Sequence, residues 1–205
     1  MADGAAAPFP LARQARLAVL ASGRGSNLAS LLAAFPASGE EPLAAVCLVL
    51  SDRAQAPALA RGVAAGVAAE HVAFGHDRAA FERAADALLR EHAIDLVCLA
   101  GFMRILSAGF VAAWAGRLLN IHPSLLPAFP GLHGQRQALA AGVHESGCSV
   151  HFVDAGVDTG RVIVQRRVPV RDDDDEESLA ARILEHEHLA YPEAVRLVLR
   201  GEVTP

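Results

Sequence analysis

The sequence contains no lysine; all 18 of its basic residues are arginine. That excludes catalysis through a lysine Schiff base, and it excludes a phosphate loop ending in Gly-Lys-Ser/Thr. Arginine, with its planar guanidinium, suits fixed recognition of anions. Cysteine is scarce as well. Cys47, Cys98 and Cys148 lie far apart, without paired spacing, so neither a disulfide framework nor a zinc site is indicated. They read as reduced thiols in a core. No apolar run reaches the ~20 residues of a membrane span. The first 14 residues lack the basic start and apolar centre of a secretory signal, and a disordered or loosely docked tail is expected there. A surplus of positive charge is also missing. The formal net charge is -5, which argues against a general basic face for nucleic acid.

What is present is an alternation. The 205 residues suffice for one well-buried α/β domain, expected over residues 15–205. Residues 16–21 form an apolar run that ends in Ser22-Gly23-Arg24-Gly25-Ser26-Asn27, and an Ala/Leu-rich helix follows. Strands are expected at 43–50, 72–74, 95–100 and 117–121, with helices at 56–65, 77–92 and 107–114 between them. This order implies right-handed βαβ units. The expected fold is a Rossmann-like, mainly parallel twisted sheet with helices on both faces. Beyond it, residues 122–132 hold three prolines and form a shaped loop. A short helix at 135–141, strands at 148–153 and 161–170, and a closing helix at 178–199 complete the chain. Tyr191-Pro192 is expected to kink that last helix.

Two segments suggest metal and then argue against it. The acidic run 172–177 reads as a solvated loop ahead of a helix. In Glu185-His186-Glu187-His188, residues two apart on a helix point away from each other, so they do not converge on one ion. No metal is expected.

Three segments carry chemistry. The first, Gly23-x-Gly25, follows a strand and opens a helix, a setting in which backbone N–H groups hold an anion. Leu28 stands where a dinucleotide fingerprint needs a third glycine, so a single phosphate fits better than NAD. The second is Asn120-Ile121-His122-Pro123, at the C-terminal end of a strand, where open α/β sheets bind ligands. Asn120 and His122 point the same way along an extended chain. A carboxamide beside an imidazole can stabilise a developing oxyanion, and the imidazole can also manage a proton. The third is the loop Asp154-Ala155-Gly156-Val157-Asp158-Thr159-Gly160. Either of its carboxylates could orient an imidazole, or both could be turn residues.

The set Gly23-x-Gly25-Ser26-Asn27, Leu99-Ala100-Gly101-Phe102-Met103-Arg104-Ile105-Leu106, Leu119-Asn120-Ile121-His122-Pro123-Ser124-Leu125-Leu126-Pro127, Pro130-Gly131-Leu132-His133 and Ser149-Val150-His151-Phe152-Val153 resembles the phosphoribosylglycinamide formyltransferases. These are folate-dependent enzymes of purine synthesis. The resemblance implies 10-formyltetrahydrofolate and glycinamide ribonucleotide as substrates, with Asn120, His122 and Asp158 as catalytic residues. It implies that Gly25, Ser26 and Asn27 lie at the phosphate and Glu187 at the ribose. It places Met103, Arg104, Ile105 and Leu106 at the folate pocket wall, Arg78 at the folate's glutamate tail and Asp154 in the loop over the pteridine. Gln135 departs from relatives that carry a second His after His133. The expected protein is cytoplasmic, a monomer or weak homodimer, with no nucleic-acid or membrane partner.

Overall fold

The computed structural model describes residues 9–38 and 41–205. One sheet of seven strands organises it, in the order β3-β2-β1-β4-β5-β6-β7. The strands are β1 (Ala15–Leu20), β2 (Ala44–Ser51), β3 (Ala68–His71), β4 (Leu96–Leu99), β5 (Leu118–His122), β6 (Glu145–Phe152) and β7 (Val162–Pro169). The first five pair in parallel, while β6 and β7 run antiparallel. The helices are α1 (Ser26–Ala34), α2 (Pro57–Ala64), α3 (Arg78–Glu91), α4 (Ala108–Ala113), α5 (Gly134–Ala140) and α6 (Glu176–Leu199).

Strands β1, β2 and β4 are almost wholly apolar because both faces are covered. Along β1, Leu17 and Val19 enter one core while Ala18 and Leu20 enter the other. The first core is closed by α1 and α6 through Leu28, Leu31, Leu179, Ile183 and Val195. The second is closed by α3 and α4 through Phe81, Leu89, Phe110 and Trp114. The expected α/β architecture, with helices on both faces, is the one observed.

Several boundaries differ from expectation. The third strand is Ala68–His71, not 72–74. It is an edge strand with exposed Glu70 and His71, so it lacks an apolar signature. Val72 and Phe74 leave the sheet and pack against the core under α3. Strand β6 starts at Glu145, ahead of the expected 148, and runs through Gly147, where the Arg166 carbonyl of β7 occupies the place of a Cβ. Helix α6 starts at Glu176 because Asp175 caps it in a capping box with Ser178. It continues unbroken through Pro192.

Residues 1–8 of the expected tail lie outside the described residues. Phe9 is buried against the first core, and Arg13 grips Asp95 with two bonds of 2.7 Å. The three cysteines are free, and burial pushes the Cys98 and Cys148 thiols up to about 12.

Tyr191 is fully buried in α6, and its hydroxyl lies 3.0 Å from the Leu99 carbonyl and 3.1 Å from that of Leu119. It braces the ends of β4 and β5 against the helix. Tyr191→Phe leaves both carbonyls without this donor. The expected loss of stability is ~1–3 kcal/mol, read as a lower urea midpoint at unchanged m-value.

Candidate active site

The sheet order reverses direction between β1 and β4, and the crevice at such a point receives ligands in open α/β sheets. Here a small cavity of about 130 Å³ opens, lined by Gly23, Arg24, Gly25, Ser26, Asn27, Ala100 and Gly101. The glycine loop is shaped by its neighbours. Ala58 N–H donates to the Gly23 carbonyl at 3.2 Å, and Arg61 Nε donates to the Arg24 carbonyl at 2.8 Å. Both carbonyls are thereby drawn to α2. Gly25 takes φ +73°, and a Cβ there would meet Ala58 at 3.0 Å, so glycine is required. Gly25 makes no side-chain cap to α1, which leaves the first N–H groups of that helix open to an anion.

Asn27 is buried, and its amide donates to Glu187 at 2.7 Å. Burial pushes the Glu187 carboxyl up, and the Asn27 amide opposes that shift. The structure thus joins the residue expected at the ribose to one expected at the phosphate.

The second half of the site lies at the end of β5. Asn120 and His122 project to the same side, and Asp158 meets both. Asn120 Nδ2 donates to Asp158 Oδ1 at 3.3 Å, and His122 Nδ1 is 3.3 Å from Asp158 Oδ2. His122 is buried, and its Nε2 lies 2.8 Å from the Phe129 carbonyl. A carbonyl only accepts, so Nε2 carries a proton and Nδ1 is the nitrogen turned to the carboxylate. Asp158 adopts φ +55°, and Gly131 N–H donates to its Oδ2 at 2.8 Å. Burial pushes the Asp158 carboxyl up. Hydrogen bonds from His151 and Gly131, with the charges of His122 and His151, outweigh it and hold the group below its ordinary value.

His151 is the residue that sequence reasoning left without a role. Antiparallel register sets it opposite Asn120, and its Nε2 lies 3.2 Å from Asn120 Nδ2 and 3.4 Å from Asp158 Oδ1. Its Nδ1 is 2.7 Å from the Phe152 carbonyl, which fixes the ring. The signal available in the sequence was Ser149-x-His151, two same-facing positions on a strand beside β5. Ser149, opposite His122, donates to the Ser124 carbonyl and accepts from Leu126 N–H, securing the proline-rich loop.

The residues expected at a folate form a separate rim. Met103 and Ile105 are exposed, and Leu106 packs partly against the second core. Arg104 Nε donates to Asp52 at 2.6 Å. Arg78 opens α3 beside Glu82, at 3.9 Å, and Glu82 in turn accepts from both Ser107 N–H and Ser107 Oγ. Asp154 stays out of the Asn120–His122–Asp158 cluster. Its Oδ1 accepts from Gly156 N–H and Thr159 Oγ1, shaping the turn. A cavity of about 410 Å³ lies between α4 and this loop, lined by Val111, Phe152, Val153, Asp154 and Ala155 among others.

Comparison with known proteins settles the family. The model of the formyl transferase family matches residues 15–195. The chain belongs to the formyl transferase family. Among curated relatives, a trifunctional purine biosynthetic protein adenosine-3 of Drosophila melanogaster is 50% identical over 92% of this chain. The chain spans only 14% of that protein. A phosphoribosylglycinamide formyltransferase of Mycobacterium tuberculosis is 45% identical over 95% of this chain and 90% of its own length. Among solved structures, a glycinamide ribonucleotide transformylase 1 of Symbiobacterium toebii has a TM-score of 0.87 at 46% identity, covering 93% of this chain and 90% of that one. This formyl transferase has, among its described residues, no helix long and apolar enough to cross a membrane. Nor do three or more His, Cys, Asp or Glu side chains gather among them to hold a metal.

Proposed function

We propose that the chain transfers the formyl group of 10-formyltetrahydrofolate to the amine of glycinamide ribonucleotide, as a step of purine biosynthesis in the cytoplasm. The observation that carries this reading is the meeting of Asn120, His122 and Asp158 within 3.3 Å, beside an anion-ready helix terminus. Relatives of matching length that bear the phosphoribosylglycinamide formyltransferase name support the choice of substrates. The chain acts as a monomer or weak homodimer on these small molecules, without metal, nucleic acid or membrane.

The amine nitrogen attacks the formyl carbon directly. Negative charge develops on the formyl oxygen, where the Asn120 amide and His122, in its protonated form and supported by Asp158, stabilise it, each good donor contributing roughly 3 kcal/mol. The new carbon–nitrogen bond forms as the bond from carbon to the folate nitrogen breaks. The amine's proton passes by way of Asp158, or a water it orders, to the leaving nitrogen. Holding the two reactants in line provides much of the remaining acceleration. Gly25, Ser26 and Asn27 hold the phosphate and Glu187 the ribose. Met103 to Leu106, with Arg78 and Asp154, hold the folate.

Turnover with both substrates tests the reading, and formylated ribonucleotide is the expected product. Formate released at the same rate without the amine would overturn it in favour of a hydrolase.

The glycine loop gives a sharper test. Ser26→Glu puts a carboxylate where the phosphate is received, and the KM for the ribonucleotide is expected to rise ~100-fold or more while folate affinity holds. Ser26→Ala, which removes one hydroxyl, should raise it about tenfold. Weakened folate with an unchanged ribonucleotide KM would mean that the two half-sites are reversed.

A further inference from the structure

The Asp52 side chain is fully buried, yet the structure pairs it with an arginine that reaches the surface. Arg104 Nε donates to Asp52 Oδ2 at 2.6 Å, and the Arg104 side chain is 38% exposed. Burying a carboxylate is costly, and a buried pair seldom stabilises a fold better than apolar residues do. A buried acid tied to an exposed base therefore calls for a reason beyond stability. The arginine is also fixed from a second side. Its guanidinium lies over the Phe74 ring at 4.7 Å, and Phe74 packs against Phe81, which stacks on Phe102.

Only Nε is used by Asp52. The two terminal nitrogens of the fork make no hydrogen bond among the described residues, so a planar anion receptor is held ready to bind. The segment that carries Phe74 runs on to Arg78, a second exposed cation at the start of α3. An anion with two carboxylates suits two such cations.

We propose that Asp52 is a positioning residue that, with Phe74, holds Arg104 to receive a carboxylate of the folate's glutamate tail. This rests on the folate reading given above. It separates two kinds of affinity: the ring system binds apolar walls, while the tail binds a guanidinium whose direction is set from beneath. Burial pushes the Asp52 carboxyl up, but Ser22 and Arg104 bring it below its ordinary value, so the charge that fixes Arg104 persists at neutral pH.

The test compares 10-formyltetrahydrofolate with the corresponding formyl pteroate, which lacks glutamate. Asp52→Asn is expected to raise the KM for the folate about tenfold, to leave the KM for the pteroate within about twofold, and to change kcat little. Arg104→Gln should reproduce the pattern, and the double variant should be no worse than Arg104→Gln alone. Phe74→Leu keeps the ion pair and removes the platform; it should give a smaller rise confined to the folate. That variant carries the comparison if Asp52→Asn does not fold. Equal losses on both substrates, or additive losses in the double variant, would overturn the Asp52 assignment alone. A wild-type chain that turns over neither substrate would overturn the folate reading itself.

Discussion

His122→Ala is expected to lower kcat at least ~100-fold, and more than Asn120→Ala does, with both proteins folded and both still binding a folate analogue. Each change removes a donor that the proposed mechanism directs at the formyl oxygen. The histidine does more, because its Nε2 also holds the Phe129 carbonyl. Losing it releases the start of the loop whose Gly131 N–H fixes Asp158. The two changes should be far from additive, since Asn120 and His122 share Asp158 as their partner. Steady-state rates on the two single variants and the double variant, with circular dichroism to confirm folding, provide the check. Near-wild-type kcat in either single variant would remove the oxyanion assignment.

Asp158→Asn is the second large effect, an expected fall in kcat of ~100-fold or more. Asparagine tolerates the positive φ of 55° at this position, so the backbone should persist while the charge goes. The wild-type carboxyl is held below its ordinary value, since the His151 and Gly131 hydrogen bonds and the two histidine charges outweigh burial. It therefore stays ionised through the neutral range. Losing that charge beside His122 should change the dependence of kcat on pH in the variant. Stability has a separate signature. A carboxyl with a depressed folded pKa contributes stability that is complete above its unfolded value, near 3.9, and is lost as pH falls through the folded value. The stability gap between wild type and Asp158→Asn should therefore narrow below about pH 4. Urea midpoints above and below that pH test it. An unchanged rate profile with intact activity would make Asp158 a turn residue.

The central sheet was legible because its strands are covered on both faces and read as continuous apolar runs, as in Leu17 to Ala21. The edge strand Ala68–His71 was not, because half of it faces water and the more apolar Val72 and Phe74 belong to a core contact beside it. Asn120 and His122 could be placed on one side by the two-residue period of a strand alone. Asp158 could not, since it arrives from a loop after β6, and only the family resemblance singled it out. The contributions of His151, Phe129 and Gly131 were hidden for different reasons. His151 depends on antiparallel register between β5 and β6, a non-local property. Phe129 and Gly131 act through a carbonyl and an N–H, which every residue possesses and no side-chain pattern reveals. Asp52 carries no sign of a partner in the sequence, and its pairing with Arg104 comes from the fold.

The clamp on His122 and Asp158 by backbone atoms of residues 129 and 131 has a consequence for redesign. Those atoms survive any substitution that keeps the path of the chain, so side chains in this stretch are not tied to the geometry they enforce. Leu132, 74% exposed, can be exchanged for polar or bulky residues without moving the atoms that hold His122 and Asp158. The glycine at 131, with φ +79°, is the position where such freedom ends.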